Sequence, residues 1–283
     1  MKLKRNTISR FVDKCSGCFN KNNCISPTAI VSSKRKYLLK VCGHRQVANE
    51  QMLAGTHKHE DLLSEYPKLK ELGYTKFKEM LFKGKRLMIQ ELVICSPSQG
   101  FRGVIDLFGI KYNKDSIEII IIDLKPRYNP KYIQQIIAYG MILADRNCLI
   151  AYDTYTKRTK KLKRVSKPLY PKKSFDLNIE IGIDYYLYGK PVRIPFMLNN
   201  VTTEFCQGVS MSIVKKANNQ RLMHKQGLYF LENTKPCEDC KKNEEYCNLW
   251  EICHKLKYVP NSKESARFFG KKQLLVKSKP KPF

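Results

Sequence analysis

The sequence predicts an α/β layered fold, and three observations predict it. Arg86–Cys95, Phe101–Tyr112 and Ser116–Leu124 are rich in Ile, Val, Leu and Phe, the composition of strands. Helical patterns flank them, over Val47–Leu72 before and Pro130–Asp145 after. Two more strand-like segments, Cys148–Tyr155 and Lys160–Val165, follow the second helix and are joined by a basic turn.

Residues 1–25 hold Cys15, Cys18 and Cys24. Ser26-Pro27-Thr28 then reads as a helix start, with Ser26 as N-cap and Pro27 in the first turn. The long helix has apolar residues at 47, 52, 53, 62, 63 and 69, a loose 3–4 spacing, and Gly73 is a plausible stop. Pro97-Ser98-Gln99-Gly100 and Asn113-Lys114-Asp115 supply the turns of the strand meander. The third strand segment, SIEIIIIDL, is nearly all apolar, as a strand covered on both faces should be. Beyond it, Asp176–Tyr188 and Val209–Gln220 are expected to be helices, and residues 237–254 form a second cysteine-rich segment. The expected organisation is a cysteine-containing segment over 1–45, a core over 46–166, a helical cysteine-rich region over 167–260 and a disordered basic tail over 261–283.

Composition limits the function classes. Hydrophobic residues are 42% of the 283, with 16 Tyr and 13 Phe, so the chain can bury a core and is not a disordered polyelectrolyte. Lys and Arg number 53 against 25 Asp and Glu, a formal charge of +28, which attracts polyanions, nucleic acid first among them. The sequence has no apolar run approaching the ~20 residues that span a bilayer, so no membrane association is expected. The N-terminal MKLKRNTISRFVDKCSG lacks the apolar segment of a signal peptide, and a cytoplasmic location is expected. The chain has 11 Cys, and in that compartment those that cluster point to metal more than to disulfides.

Four short signals occur in one order. Gly55-x-x-x-His59-Glu60 lies on the first long helix, and Gly103-Val104-Ile105-Asp106 on the second strand. Asp123-Leu124-Lys125 ends the third strand, and Gln135-Ile136-Ile137-Ala138-Tyr139 lies on the next helix. Phosphodiester hydrolysis needs a hard divalent cation, Mg or Mn, and such ions take oxygen ligands. Asp106 and Asp123 on adjacent strands can converge on one ion, with the Leu124 carbonyl as a further ligand. Asp123 and Lys125 are two apart on a strand, so they share a face. The Lys125 ammonium can then orient the attacking water or stabilise negative charge. Gln135 and Tyr139 are one helical turn apart, placed to contact substrate or to hold the site. A second D-x-K, Asp239-Cys240-Lys241, has no preceding strand and reads as accidental.

In this order the motifs resemble the RecB-type domain of the PD-(D/E)XK nuclease superfamily. The resemblance is strongest to the CRISPR-associated RecB-like iron–sulfur exonucleases and the AddB-type nuclease domain, and covers about residues 50–140 plus the terminal cysteines. It implies a restriction-endonuclease-like core, a mixed central sheet flanked by helices, with a helical cysteine-rich subdomain formed by both termini. It also implies that His59 is a ligand of the catalytic metal, with His57 facing elsewhere, and that Glu91 matches a first-strand Glu. Activity on single-stranded DNA or DNA ends, and partners in CRISPR adaptation or repair, follow from the resemblance alone.

The cysteines fall at metal-ligand spacing: Cys15-x2-Cys18-x5-Cys24, and Cys237-x2-Cys240-x6-Cys247-x5-Cys253. Resembling nucleases hold a 4Fe-4S cluster with one N-terminal and three C-terminal Cys. Cys237, Cys240 and Cys247 fit the trio, with one extra residue in the second gap. Ser33-Lys34-Arg35-Lys36 stands where the family has its N-terminal Cys, so Cys24 is the substitute. Zinc is the alternative metal, and seven Cys leave room for a second site. Cys42, Cys95, Cys148 and Cys206 read as small buried hydrophobes.

The densest basic run includes Lys157, Arg158, Lys160, Lys161, Lys163 and Arg164, suited to sequence-independent phosphate contact. Tyr132, Tyr139 and Trp250 are candidates to stack on unpaired bases. Two rivals stand beside the nuclease: a non-catalytic nucleic-acid-binding protein with a structural zinc or iron–sulfur site, and an RNA-binding zinc protein.

Overall fold

The computed structural model describes residues 24–32, 50–156 and 161–226, with side chains for all of these but 50–52, 82, 152–156, 161–165 and 221–226. In chain order the elements are α1 (Pro27–Val31), α2 (Glu50–Leu63), α3 (Leu69–Leu72), α4 (Tyr74–Phe82), β1 (Leu87–Ser96), β2 (Phe101–Tyr112), β3 (Ser116–Arg127) and α5 (Lys131–Ala144). They continue with β4 (Leu149–Thr156), β5 (Lys161–Pro168), β6 (Asp176–Tyr188), β7 (Val192–Leu198), β8 (Val201–Thr202) and α6 (Glu204–Gln226). The described residues up to Ala217, apart from Ser32 and Glu50, form one compact unit; Asn218–Gln226 fall in a second. No described helix is long and apolar enough to cross a membrane.

One eight-stranded mixed sheet organises the first unit, in the order β5-β4-β1-β2-β3-β6-β7-β8. Every neighbouring pair is antiparallel except β3 and β6, which run parallel from Ser116–Asp176 to Arg127–Tyr188. A parallel pair needs a crossover, and α5 with the β4–β5 hairpin lies in that connection. The expectation for β3 is met: Ile117, Ile119 and Ile121 are buried on one face, and Ile122 and Leu124 on the other. The second face closes over Leu63, Leu107, Ile122 and Leu124, with Tyr66, Met88, Ile120 and Tyr186 packed around them.

At the N-terminal edge of the described chain, Ser26 caps α1 as expected, its Oγ accepting the Ala29 N–H at 3.1 Å. Helix α5 presses onto the sheet where side chains are missing. A Cβ on Gly103 would lie 2.3 Å from Tyr139 Cε1, and one on Gly140 would lie 2.6 Å from Phe196 Cδ2. Gly103→Ala is therefore expected to destabilise the fold by about 1–3 kcal/mol, because the buried Tyr139 ring has to shift. In a chain of this size that lowers the melting temperature by about 2–4 °C per kcal/mol. An unchanged melting curve would remove the close approach from the account.

Three expectations need correction. Asp176–Tyr188 is a strand, β6, and not a helix. Leu177, Ile179, Ile181 and Ile183 alternate and are all buried, so the period is two. The helix expected over Val47–Leu72 is broken: α2 ends at Leu63 and α3 starts at Leu69. Pro67 lacks an N–H and disfavours helix at the residue before it, and the Pro67 carbonyl instead accepts the Gln90 N–H of β1 at 3.2 Å. The core does not end at residue 166, and 167–260 is not helical throughout, because β6, β7 and β8 extend the same sheet. The helix expected over Val209–Gln220 lies within the longer α6. Residues 1–23 and 227–283, including the tail, lie outside the described residues.

Candidate active site

The site forms where two strands part. The β2–β3 ladder runs from Tyr112–Ile117 to Leu107–Ile122 and stops there. One pair further it would set Asp106 against Asp123. From that point β2 stays with β1 and β3 stays with β6. Separation leaves backbone groups that must find other partners. The Asp106 carboxylate supplies one, its Oδ2 accepting the Leu124 N–H at 2.8 Å. His59, entering from α2, supplies another by donating a ring N–H to the Leu124 carbonyl. The Leu124 peptide thus ties the two side chains together, with His59 Nδ1 3.7 Å from Asp106 Oδ2.

Asp123 sits behind them, 2% exposed. The Lys125 ammonium lies 2.6 Å from its Oδ2. The approach lacks the alignment of a hydrogen bond, so that buried oxygen has an opposite charge beside it and no directed donor. Burial pushes the Asp123 carboxyl up to about 7, against the pull of the Lys125 ammonium and with a further push from Asp106. Asp106 is raised too, by burial first. Contact between the two carboxyls favours a proton on Asp123. For Lys125, burial pulls the ammonium down, but the carboxylates outweigh it and its value ends raised. His59 is lowered, by burial and then by Lys125, so its imidazole is neutral at pH 7 with a lone pair to offer.

The first strand adds a strained residue. Glu91 has φ +52°, unusual for a side chain with a Cβ, and lies level with Asp106 without a ladder pair. Its carboxylate pairs with Lys68 at 2.6 Å. His57 faces away, 75% exposed and 3.5 Å from Glu60, as its position on the helix implies.

Gln135 and Tyr139 are both buried on α5. Tyr139 is hydrogen-bonded to Gln135 and Thr28 and lies against Gly103. From there the pair fixes α5 behind the carboxylates. Of the aromatic candidates, Tyr132 lies under Lys125, the ammonium 5.2 Å from its ring centroid. Trp250 lies outside the described residues. The alternation of β6 was the signal for two further tyrosines at the site. Tyr186 meets His59 edge-on at 5.7 Å, and Tyr185 stands beside Lys125 in the parallel register.

Is the site suited to a hard cation? The donors are two carboxylates, a neutral imidazole and a peptide carbonyl, the oxygen-rich set such ions take. The undirected Asp123 Oδ2 and the two raised carboxyls mark a pair short of positive charge. Among the described residues, no three His, Cys, Asp or Glu side chains form a ready metal cluster as placed. The cation in contact with Asp123 is the Lys125 ammonium, so a bound ion needs the ammonium to swing aside.

Of the expected cysteine ligands, only Cys24 is described; Cys15, Cys18, Cys237, Cys240, Cys247 and Cys253 lie outside the described residues. Cys24 is half-buried in hydrogen-bond contact with the Cys95 thiol, which that contact and burial push far up. Cys95, Cys148 and Cys206 are buried, as expected of small apolar side chains; Cys42 is outside the described residues. Lys157, Arg158 and Lys160 also lie outside, while Lys161, Lys163 and Arg164 are on β5, the edge strand separated from β2 by β4 and β1.

No family model matches the chain, and no curated protein matches it. Among solved structures, the crystal structure of a protein named SSO0001 is similar over 76% of this chain and 84% of its own, with 14% identity and a TM-score of 0.36.

Proposed function

We propose that the protein is a metal-dependent nuclease of the PD-(D/E)XK type that hydrolyses phosphodiester bonds in DNA, acting on single strands or free ends. The observation that supports it is the meeting of Asp106, Asp123, Lys125 and His59 around the Leu124 peptide, where β2 and β3 separate. On this reading the sheet is a restriction-endonuclease-like core. Asp106, Asp123, His59 and the Leu124 carbonyl would hold Mg or Mn. When bound, that cation takes up charge on the phosphate oxygens and lowers the pKa of a water.

The chain's own residues have separable tasks. Lys125 stays protonated, so it is a poor base and a good electrostatic partner for a phosphate gaining negative charge. Neutral His59 offers a lone pair while its N–H is fixed by Leu124. Gln135 and Tyr139 keep α5 seated behind the carboxylates. A 4Fe-4S cluster on the terminal cysteines, with zinc as the alternative, and partners in CRISPR adaptation or repair complete the proposal.

Degradation of plasmid or single-stranded DNA with Mn tests it. Lys125→Ala is expected to slow cleavage by about 10²–10³-fold. Activity that survives the substitution, or its absence from both proteins, defeats the nuclease and leaves a basic nucleic-acid binder.

A further inference from the structure

Beyond the site, β3 and β6 run on side by side, with Lys125 level with Tyr185 and Arg127 level with Tyr188. This end of the sheet exposes aromatic surface. Tyr188 is 77% exposed and Tyr128 59%. The Tyr128 and Tyr185 rings adjoin in a tilted contact, their centroids 6.2 Å apart and their planes at 59°.

Two further observations concern Tyr185. Its hydroxyl is buried with no hydrogen-bond partner among the described residues, so its position is set by the ring and not by its polar tip. Gly189, at φ +132°, leaves room for that ring, since a Cβ there would lie 2.8 Å from Tyr185 Cδ2. The chain thus gives up a hydroxyl partner and adopts a glycine turn to hold an aromatic ring beside Lys125.

The charges nearby select what would lie on this surface. Lys125 and Arg127 line β3, and the Asp184 carboxylate is neutralised by Arg193 at 2.6 Å. Flat apolar rings among cations match a polyanion with unpaired planar bases. A duplex hides its base faces, so it gains the phosphate contacts and not the stacking.

We propose that Tyr128, Tyr185 and Tyr188 form a stacking shelf for the unpaired bases that flank the phosphate held at Lys125. It rests on the nuclease reading for that phosphate, and it makes these tyrosines the residues that favour single strands over duplex.

The test is metal-free binding by the full chain, in EDTA, of a fluorescent oligo-dT and of a matched duplex. Tyr128 and Tyr188 are exposed, so a Tyr128→Ala, Tyr188→Ala double variant keeps the fold, which a melting curve checks. It is expected to bind oligo-dT about tenfold or more weakly, with duplex binding unchanged. The Phe double variant retains wild-type binding, because the ring face is kept. The shelf is overturned if the Ala variant binds oligo-dT like wild type, if both substrates weaken equally, or if Phe fails to preserve binding. None of these readouts needs cleavage, so a chain that binds through the shelf but never cuts would sink the nuclease and spare the shelf.

Discussion

Asp106→Asn is expected to reduce Mg- or Mn-dependent cleavage by about three orders of magnitude, while the metal-free protein becomes more stable above neutral pH. The first half follows from losing a charged oxygen ligand, since a catalytic cation supplies several kcal/mol of charge stabilisation. The second half follows from the charge count at the fork. The two carboxyls share one ammonium, and Asp106 makes ionisation of the buried Asp123 harder. With Asn at 106, Asp123 and Lys125 form a balanced pair. The amide oxygen still accepts the Leu124 N–H, so the local backbone keeps its partner. Cleavage rates and melting curves above neutral pH measure both halves. A variant that cleaves within tenfold of wild type, or that melts lower, contradicts the arrangement described.

Divalent cations are expected to stabilise the fold strongly above neutral pH and weakly in mild acid. In the unfolded chain both carboxyls titrate at ordinary values near 4. In the folded protein burial raises them, Asp123 to about 7. Between those values the folded state keeps a proton that the unfolded chain has released. Stability from this pair therefore falls as pH rises through that window, then levels off. A cation competes with the retained proton, so its affinity falls about tenfold per pH unit below neutrality. At a hundred times its dissociation constant, Mn adds about 2.7 kcal/mol, roughly 5–10 °C for a chain of this size. Thermal melts with and without Mn, at about pH 5.5 and about pH 8, test this. Equal shifts at both pH values, or a full shift in Asp106→Asn, would count against it.

The meander and its following helix were legible because each carries its own local signal. Phe101–Tyr112 matches β2 to the residue, and Pro130–Asp145 differs from α5 by one residue at each end. Glycine-containing and polar turns bound the strands, and apolar runs fill them. The carboxylates were legible because a charge ending an apolar strand calls for a reason. What stayed hidden was non-local. Nothing near Asp106 in sequence says that β2 leaves β3 one residue earlier, or that Leu124 offers both backbone groups across the gap. Reading Asp176–Tyr188 as helical concealed Tyr185 and Tyr186, since only a strand beside β3 puts them at the site. The break at Pro67 was legible in principle: a proline within a long helical pattern marks a boundary.

The parallel pairing of β3 with β6 also governs how the chain is made. Partners such as Ser116 and Asp176 lie about 60 residues apart, whereas the β1–β2 and β2–β3 hairpins close locally. Long-range parallel pairing is slow because a large loop must be ordered before any contact repays it. During synthesis, SIEIIIIDL emerges with one edge matched by β2 and the other bare until β6 follows. That bare edge is the segment of a nascent chain most open to pairing with its neighbours, and production at low temperature or with a chaperone that shields apolar strands acts on that interval.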